Sequence, residues 1–135
     1  RSKGRLKSRE RIDTMYYPGF PTDLQTQIMA LQTISRGTSV IAENIFETRF
    51  KTVPQLIKMG ADITVRDRTA VVRGVPGLHG AEVHATDLRG GASLVLAGLA
   101  AEGRTEVKDI YHIDRGYEDM APVLSGLGAN ITRVV

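Results

Sequence analysis

Three arginines have the residue type and the placement to bind an anion. Arg49 and Arg115 each follow a predicted strand and precede a predicted helix, and Arg89 lies in the first turn of another predicted helix. A planar guanidinium group donates two parallel hydrogen bonds to a carboxylate or phosphate, and a helix N-terminus also favours negative charge. The alternative is that Arg49 and Arg115 form surface ion pairs with the adjacent carboxylates. Those carboxylates are Glu47 and Asp114, and such pairs contribute little to stability.

One aspartate has the placement of a general base. Asp23 begins a predicted helix and follows the turn-forming residues 17–22, which contain two prolines and a glycine. Its carboxylate could accept hydrogen bonds from the free N–H groups of the first helical turn, or it could take a proton from a substrate hydroxyl. The residues alone favour the helix cap.

Several other kinds of site are not expected. The chain has no Cys, so it contains no disulfide, thiolate metal site or cysteine nucleophile. His79, His84 and His112 lack the spacing of metal ligands, and the glycines at 126 and 128 do not follow a strand as a dinucleotide-binding loop requires. No apolar run approaches the roughly 20 residues that span a bilayer. We therefore expect no metal, no cofactor and no membrane association.

Positive charge is concentrated at the N-terminus. Of the 18 Lys and Arg residues, six occupy the odd positions from Arg1 to Arg11. A period of two places them on one face of a strand, so we expect a solvated basic edge strand within residues 1–16. The alternative is an arm that binds a polyanion. Because a nucleic-acid-binding domain carries its basic patch across the folded body, we do not expect nucleic acid as a partner.

The elements that must position these residues occur twice in the chain. Four segments recur in the same order, at a spacing that grows from 64 to 68 residues. They are Thr22-Asp23-Leu24 with Thr86-Asp87-Leu88, residues 36–38 with 102–105, 45–50 with 111–116, and 59–63 with 127–131. This is the signature of an internal repeat. The 135 residues, 41% hydrophobic, suit one domain or part of one.

Each copy predicts helices alternating with strands. The first helix of each copy begins at Thr22-Asp23 or Thr86-Asp87, and Gly37 or Gly103 ends it. Second helices are predicted over 52–60 and 117–124. The predicted strands are 38–42, 61–65, 69–73, 82–85, 105–109 and 129–134. The fold class is therefore α/β, built from about two βαβαββ units at residues 20–85 and 86–135.

Four segments carry a resemblance to a known family. They are YPGFPTDLQ at 17–25, ENIFETRF at 43–50, ATDLR at 85–89 and YHIDRGY at 111–117. Together they resemble the UDP-N-acetylglucosamine 1-carboxyvinyltransferases, which are bacterial enolpyruvyl transferases. The resemblance runs from about Lys3 to Arg133 and implies a lobe of the inside-out α/β barrel of enolpyruvate transferases. It matches only the C-terminal portion of the family, so an N-terminal lobe is expected as a partner.

The resemblance implies a reaction. The family transfers the enolpyruvyl group of phosphoenolpyruvate to the 3′-hydroxyl of UDP-N-acetylglucosamine and releases phosphate, without a metal or organic cofactor. This is a cytoplasmic step that opens peptidoglycan synthesis and so supports cell shape and division. Asp23 matches the proposed base at the sugar hydroxyl. Arg49, Arg89 and Arg115 match arginines that face phosphoenolpyruvate, Arg115 as a catalytic residue.

The resemblance also implies further contacts and a limit. Ile45 and Phe46 would lie beside the UDP-sugar, and Asp87 would help to hold the closing interface. Other parts of the family's site are missing from this sequence, so the chain alone is expected to be inactive. Two alternatives remain: part of the shikimate-pathway enolpyruvyl transferase, and a noncatalytic module that binds anions or RNA.

Overall fold

The secondary structure follows the repeated order that the sequence predicts. The computed structural model describes residues 5–15, 20–45, 49–117 and 120–134, without the side chains of Thr22 and Arg49. The described strands are β1 Arg11–Asp13, β2 Thr38–Ala42, β3 Asp62–Arg66, β4 Thr69–Arg73, β5 Glu82–His84 and β6 Glu106–Lys108. The described α-helices are α1 Gln25–Gln32, α2 Val53–Lys58, α3 Leu88–Ala100, α4 Tyr111–Asp114 and α5 Met120–Gly126. Two 3₁₀ turns, Thr22–Leu24 and Arg49–Thr52, lead directly into α1 and α2.

The first unit is a complete βαβαββ arrangement. β1 pairs in parallel with β2, and β4 pairs antiparallel with both β2 and β3, which gives the sheet order β1-β2-β4-β3. α1 connects the parallel neighbours β1 and β2, as a crossover connection requires. β1 lies at the edge of the sheet, where Arg11 is exposed and Ile12 is buried. The alternation of exposed and buried residues follows from the period-two geometry of a strand.

β5 pairs with a strand of the second copy. The sequence grouped residues 82–85 with the first copy, but β5 pairs in parallel with β6 in a separate two-stranded sheet. This repeats the relation of β1 to β2. We therefore propose that the boundary between the two units lies between β4 and β5, and that β1 is the first strand of the first unit.

The second unit departs from the prediction at its end. No strand is present over the described residues 127–134, so the prediction of a strand at 129–134 is wrong. The equivalent strand in the first unit, β3, pairs only with β4. No described residue after α5 takes the place of β4, so these residues lack the pairing partner that a strand needs. The short helix α4 was also not predicted, because its four residues were read as a loop.

The core joins both units. α1 packs against α3, and the buried residues of the helices and of the four-stranded sheet form one cluster. Met29 of α1, Leu56 of α2 and Leu94 of α3 meet Ile41 and Val72 of the sheet in this cluster. Each fully buried side chain of this size contributes about 1.5–3 kcal/mol. Within the described ranges, no helix combines the length and apolar character needed to cross a bilayer.

Arg5 links the N-terminal segment to the residues that follow α1 and β4 through hydrogen bonds. Its Nε donates to the carbonyl oxygen of Ile34, and its Nη2 donates to those of Ser35 and Val75, each at 3.1 Å. We expect Arg5→Ala to lower the free energy of unfolding by about 1–2 kcal/mol, because it removes charge-assisted hydrogen bonds. Denaturant unfolding of the full-length protein measures this loss.

Lys7→Ala is the matched control for Arg5→Ala. Lys7 is exposed, and its side chain makes no hydrogen bond or ion pair with a described residue. Its removal should change the free energy of unfolding by no more than about 0.5 kcal/mol. Equal losses in the two variants would show that Arg5 is one more solvated charge of the basic segment.

Candidate active site

The predicted site residues follow the carboxyl ends of the four parallel strands. The residues after β1, β2, β5 and β6 are, in that order, Asp23, Ile45 with Arg49, Asp87 with Arg89, and Arg115. In open α/β sheets the ligand lies outside these ends of the strands. α1 packs on α3, and the segments after β1 and β2 contact the start of α3.

Asp87 and Asp23 have different roles at the starts of the two repeat-related helices. Asp87 is the N-cap of α3, and its Oδ1 accepts from the Gly90 N–H at 3.1 Å, as the sequence predicts. The N-cap of α1 is Leu24, without a side-chain hydrogen bond, so the prediction of Asp23 or Thr22 as N-cap is wrong. The 3₁₀ turn extends the helical backbone upstream of α1 and places Asp23 inside it, with its side chain 58% exposed.

The segment that carries Arg115 lies tightly against the start of α3. A Cβ at Gly116 would come within 2.6 Å of Cδ2 of Leu88, and a Cβ at Gly91 within 2.7 Å of Cγ1 of Ile113. A Cβ at Gly91 would collide with Ile113 and Ala85, and a Cβ at Gly116 would require the Leu88 side chain to move. The two glycines therefore allow α4 and the residues that follow it to approach the first turns of α3.

Arg89 connects the two units. The hydroxyl of Thr26 in α1 donates to the Arg89 carbonyl oxygen at 3.1 Å. The Arg89 side chain donates from Nη1 to the Tyr117 hydroxyl oxygen at 2.8 Å, and its Nε lies 3.9 Å from Oδ1 of Asp23. The structure thus brings together a carboxylate from the first unit with a guanidinium and a phenol from the second.

Arg115 is exposed and stands two residues before Tyr117 in the chain. Asp114, the proposed ion-pair partner, accepts instead from Nη1 and Nη2 of Arg133 at 2.9 and 2.8 Å. The hydrogen bonds from Arg133 hold the pKa of the Asp114 carboxyl below its ordinary value. Arg115 makes no side-chain hydrogen bond or ion pair with any residue in the described part of the chain. The alternative that Arg115 forms an ion pair with Asp114 is therefore wrong.

A buried carboxylate holds the loop after β2. Oε2 of Glu43 accepts from the Thr14 hydroxyl at 2.6 Å and from the Ile45 N–H at 2.9 Å. The Thr14 oxygen in turn accepts from the Asn44 N–H at 2.7 Å. Because its N–H is engaged, Ile45 would contact a ligand through its carbonyl oxygen or side chain. Phe46 lies outside the described residues.

The turn that contains Arg49 lies against the start of α3. The side chain of Arg49 is not among those that the structure describes. The 3₁₀ turn that begins at Arg49 ends at Thr52, and the Oγ1 atoms of Thr52 and Thr86 are 3.5 Å apart. The loop after β2 therefore reaches the N-cap region of α3, one residue from Asp87. A possible pairing of Arg49 with Glu47 also lies outside the described residues.

Sequence reasoning missed Tyr117 and Glu43 as residues of the site. Both lie in the segments that carry the family resemblance, but no local pattern identifies their partners. Tyr117 contacts Arg89, 28 residues away, and Glu43 contacts Thr14, 29 residues away. The sequence signal is weak: Tyr117 lies two positions after Arg115, and Glu43 lies two positions before Ile45.

Comparisons with known proteins agree on one family. The family model described as EPSP synthase (3-phosphoshikimate 1-carboxyvinyltransferase) matches residues 3–124. UDP-N-acetylglucosamine 1-carboxyvinyltransferase of Myxococcus xanthus is 60% identical over 96% of this chain and 32% of its own length. The enzyme of the same name from Geobacter metallireducens is 56% identical over 99% of this chain and also 32% of its own. The chain therefore spans about a third of the length of these curated relatives.

Two solved structures share the fold. The enolpyruvyl transferase NikO from Streptomyces tendae superposes with a TM-score of 0.89 at 33% identity, over 98% of this chain and 30% of that one. An EPSP synthase from Acinetobacter baumannii gives a TM-score of 0.55 at 20% identity, over 80% of this chain and 27% of that one. The second likeness concerns the fold alone.

Proposed function

Because the chain belongs to the EPSP synthase family, we propose that it forms part of an enzyme that transfers the enolpyruvyl group of phosphoenolpyruvate to the 3′-hydroxyl of UDP-N-acetylglucosamine. The names of the relatives at 56–60% identity support the UDP-sugar as acceptor over a shikimate phosphate. The enzyme would act in the cytoplasm at the step that opens peptidoglycan synthesis. The observation that supports the proposal is the contact of Asp23 with Arg89 across the two units, at 3.9 Å.

Asp23 has the chemistry of the base. Its exposed carboxylate can take the proton of the sugar hydroxyl while the oxygen forms a bond to C2 of phosphoenolpyruvate. A general acid gives a proton to C3 in this step, and the tetrahedral intermediate keeps both the phosphate and the carboxylate. Loss of phosphate from C2 and transfer of a proton from C3 to a base then restore the C2–C3 double bond. Arg89 lies beside this carboxylate, with its Nε 3.9 Å from Oδ1 of Asp23.

The arginines have the chemistry to hold phosphoenolpyruvate. The substrate carries a phosphate and a carboxylate, and preorganised cations stabilise both through the reaction. The guanidinium of Arg115 makes no hydrogen bond or ion pair with a described residue. The Nη2 group of Arg89 makes no hydrogen bond with a described residue either, so both can donate to the substrate. Arg49 would add a third cation from the turn that lies against α3. Ile45 and Phe46 would contact the UDP-sugar, and Asp87 would support the closing interface through its place at the start of α3.

The proposal is tested by a phosphate-release assay. The full-length protein that contains this chain should release phosphate from phosphoenolpyruvate only when UDP-N-acetylglucosamine is present. Shikimate 3-phosphate as acceptor is the control for the other transferase of the fold. Turnover with shikimate 3-phosphate alone would contradict the assignment of the acceptor, and no turnover with either would contradict the proposed reaction.

The 135-residue chain alone is expected to release no phosphate. It spans 32% of the length of its relatives, so most of the residues that could surround the substrates are absent. The same assay on the purified chain measures this, with the full-length protein as the positive control. Clear turnover that depends on the UDP-sugar would show that these residues contain a sufficient site.

A further inference from the structure

We propose that Tyr117 is a positioning residue that orients the Arg89 guanidinium toward a bound phosphate or carboxylate. The inference rests on the proposed function, because it assumes that Arg89 faces the anionic substrate. Tyr117 has no role implied by the family resemblance. The proposal comes from the contacts of its hydroxyl and of its backbone.

The Tyr117 hydroxyl fixes one edge of the guanidinium. Arg89 Nη1 donates to the phenol oxygen at 2.8 Å, and Arg89 Cζ lies 5.6 Å from the centroid of the ring. On the other edge Nε approaches Asp23 at 3.9 Å. Nη2 makes no hydrogen bond with a described residue, so it remains available to an oxygen of the ligand. An arginine held in this way loses less side-chain entropy on binding.

Tyr117 is itself held in place. Its N–H donates to the carbonyl oxygen of Ile113 at 2.9 Å, which fixes its backbone to the end of α4. The preceding Gly116 packs against the side chain of Leu88, which would have to move to admit a Cβ at this position. The ring is half-buried. The segment that carries the phenol therefore packs against the first turn of α3, which also carries Arg89.

A phenol is better suited to this task than a carboxylate. Asp114 is an example of an arginine partner that is a carboxylate. It accepts hydrogen bonds from both terminal nitrogens of Arg133, and its negative charge balances the positive charge of that arginine. The Tyr117 hydroxyl accepts one hydrogen bond and, unlike a second carboxylate, adds no further negative charge beside Arg89.

Tyr117→Phe in the full-length protein tests the proposal, since it keeps the ring and removes only the hydroxyl. We expect the KM for phosphoenolpyruvate to rise about 3- to 10-fold, the scale of one hydrogen bond, with a smaller change in the KM for the UDP-sugar. The melting temperature should change little. Tyr111→Phe is the matched control, because Tyr111 is 60% exposed and its hydroxyl makes no hydrogen bond with a described residue.

A double-mutant cycle with Arg89→Lys separates positioning from general structural support. If Tyr117 acts through the guanidinium, Tyr117→Phe should change the KM by less than about twofold in the Arg89→Lys background. Independent effects in the two backgrounds would overturn the proposal. An unchanged KM for phosphoenolpyruvate in Tyr117→Phe would also overturn it. So would a melting temperature of Tyr117→Phe lowered enough for partial unfolding to explain the change in KM.

Calorimetric binding of inorganic phosphate keeps this inference distinct from the proposed function. Tyr117→Phe should weaken phosphate binding by the same 3- to 10-fold, whether or not the full-length protein turns over the UDP-sugar. Absence of turnover with this loss of affinity would contradict the proposed reaction and support the role of Tyr117. Equal affinity in both proteins, or no phosphate binding by the unmodified protein, would overturn the role of Tyr117.

Discussion

Asp23→Asn is expected to lower the kcat of the full-length enzyme by about 100-fold or more, the usual scale for the loss of a general base. Asparagine has nearly the same shape but cannot accept the proton of the sugar hydroxyl. The fold should remain intact, because the side chain is 58% exposed and Leu24, not Asp23, is the N-cap of α1. Steady-state turnover together with a thermal melt measures both effects.

Asp62→Asn is the control for Asp23→Asn. Asp62 is also an exposed aspartate near an arginine, with its Oδ1 3.4 Å from Nη1 of Arg73, but it begins β3 and not a site loop. Its kcat should stay within about twofold of the parent, as for a surface substitution away from the site. If Asp23→Asn also stays within about threefold, the carboxylate is not the base and its role is structural.

Arg115→Lys is expected to lower kcat/KM by about 10- to 100-fold, because charge-assisted hydrogen bonds contribute about 1.5–3 kcal/mol each. Lysine keeps the charge but loses the planar fork that holds two oxygens at once. The KM for phosphoenolpyruvate should rise more than that for the UDP-sugar. The melting temperature should change little, because Arg115 is exposed and has no ion-pair partner among the described residues.

Arg104→Lys serves as the matched control for Arg115→Lys. The Arg104 side chain is 80% exposed and lies 3.3 Å from Glu106, which makes it an ordinary surface ion-pair residue. Its replacement should leave both KM values unchanged. Unchanged kinetics in Arg115→Lys, together with a marked loss of melting temperature, would instead show that Arg115 stabilises the fold.

Local patterns predicted much of the fold. The predicted bounds of β2 and β4 match the structure, and the β6 prediction differs by one residue at each end. Gly37 and Gly103, predicted to end the two repeat-related helices, both have positive φ, 106° and 83°, although α1 already ends at Gln32 and α3 at Ala100. These features depend on residues close in the chain, such as alternating apolar side chains and a glycine where φ is positive. The predicted α/β fold of enolpyruvyl transferases is confirmed by the likeness to their structures.

Pairing between strands was the first feature that local patterns did not determine. Residues 129–134 repeat the pattern of β3, yet they form no strand in the described chain. β5 looked like the last strand of the first copy, yet it pairs with β6. A strand exists only when another strand satisfies its backbone groups, and the choice of that partner is a property of the whole fold.

The sequence by itself determined which residue types stand at the candidate site: an aspartate and arginines at repeat-related places after the parallel strands. Only the tertiary structure decided which of them meet. In the structure Asp23 lies beside Arg89, and Arg89 donates a hydrogen bond to the Tyr117 hydroxyl. Asp114 pairs with Arg133, so Arg115 has no ion-pair partner in the described chain. The reason is physical. Helix and turn signals act within a few residues, whereas these contacts join side chains at least 19 residues apart in the chain. The contact of Asp23 with Arg89 joins the two units, whose helices α1 and α3 pack against each other.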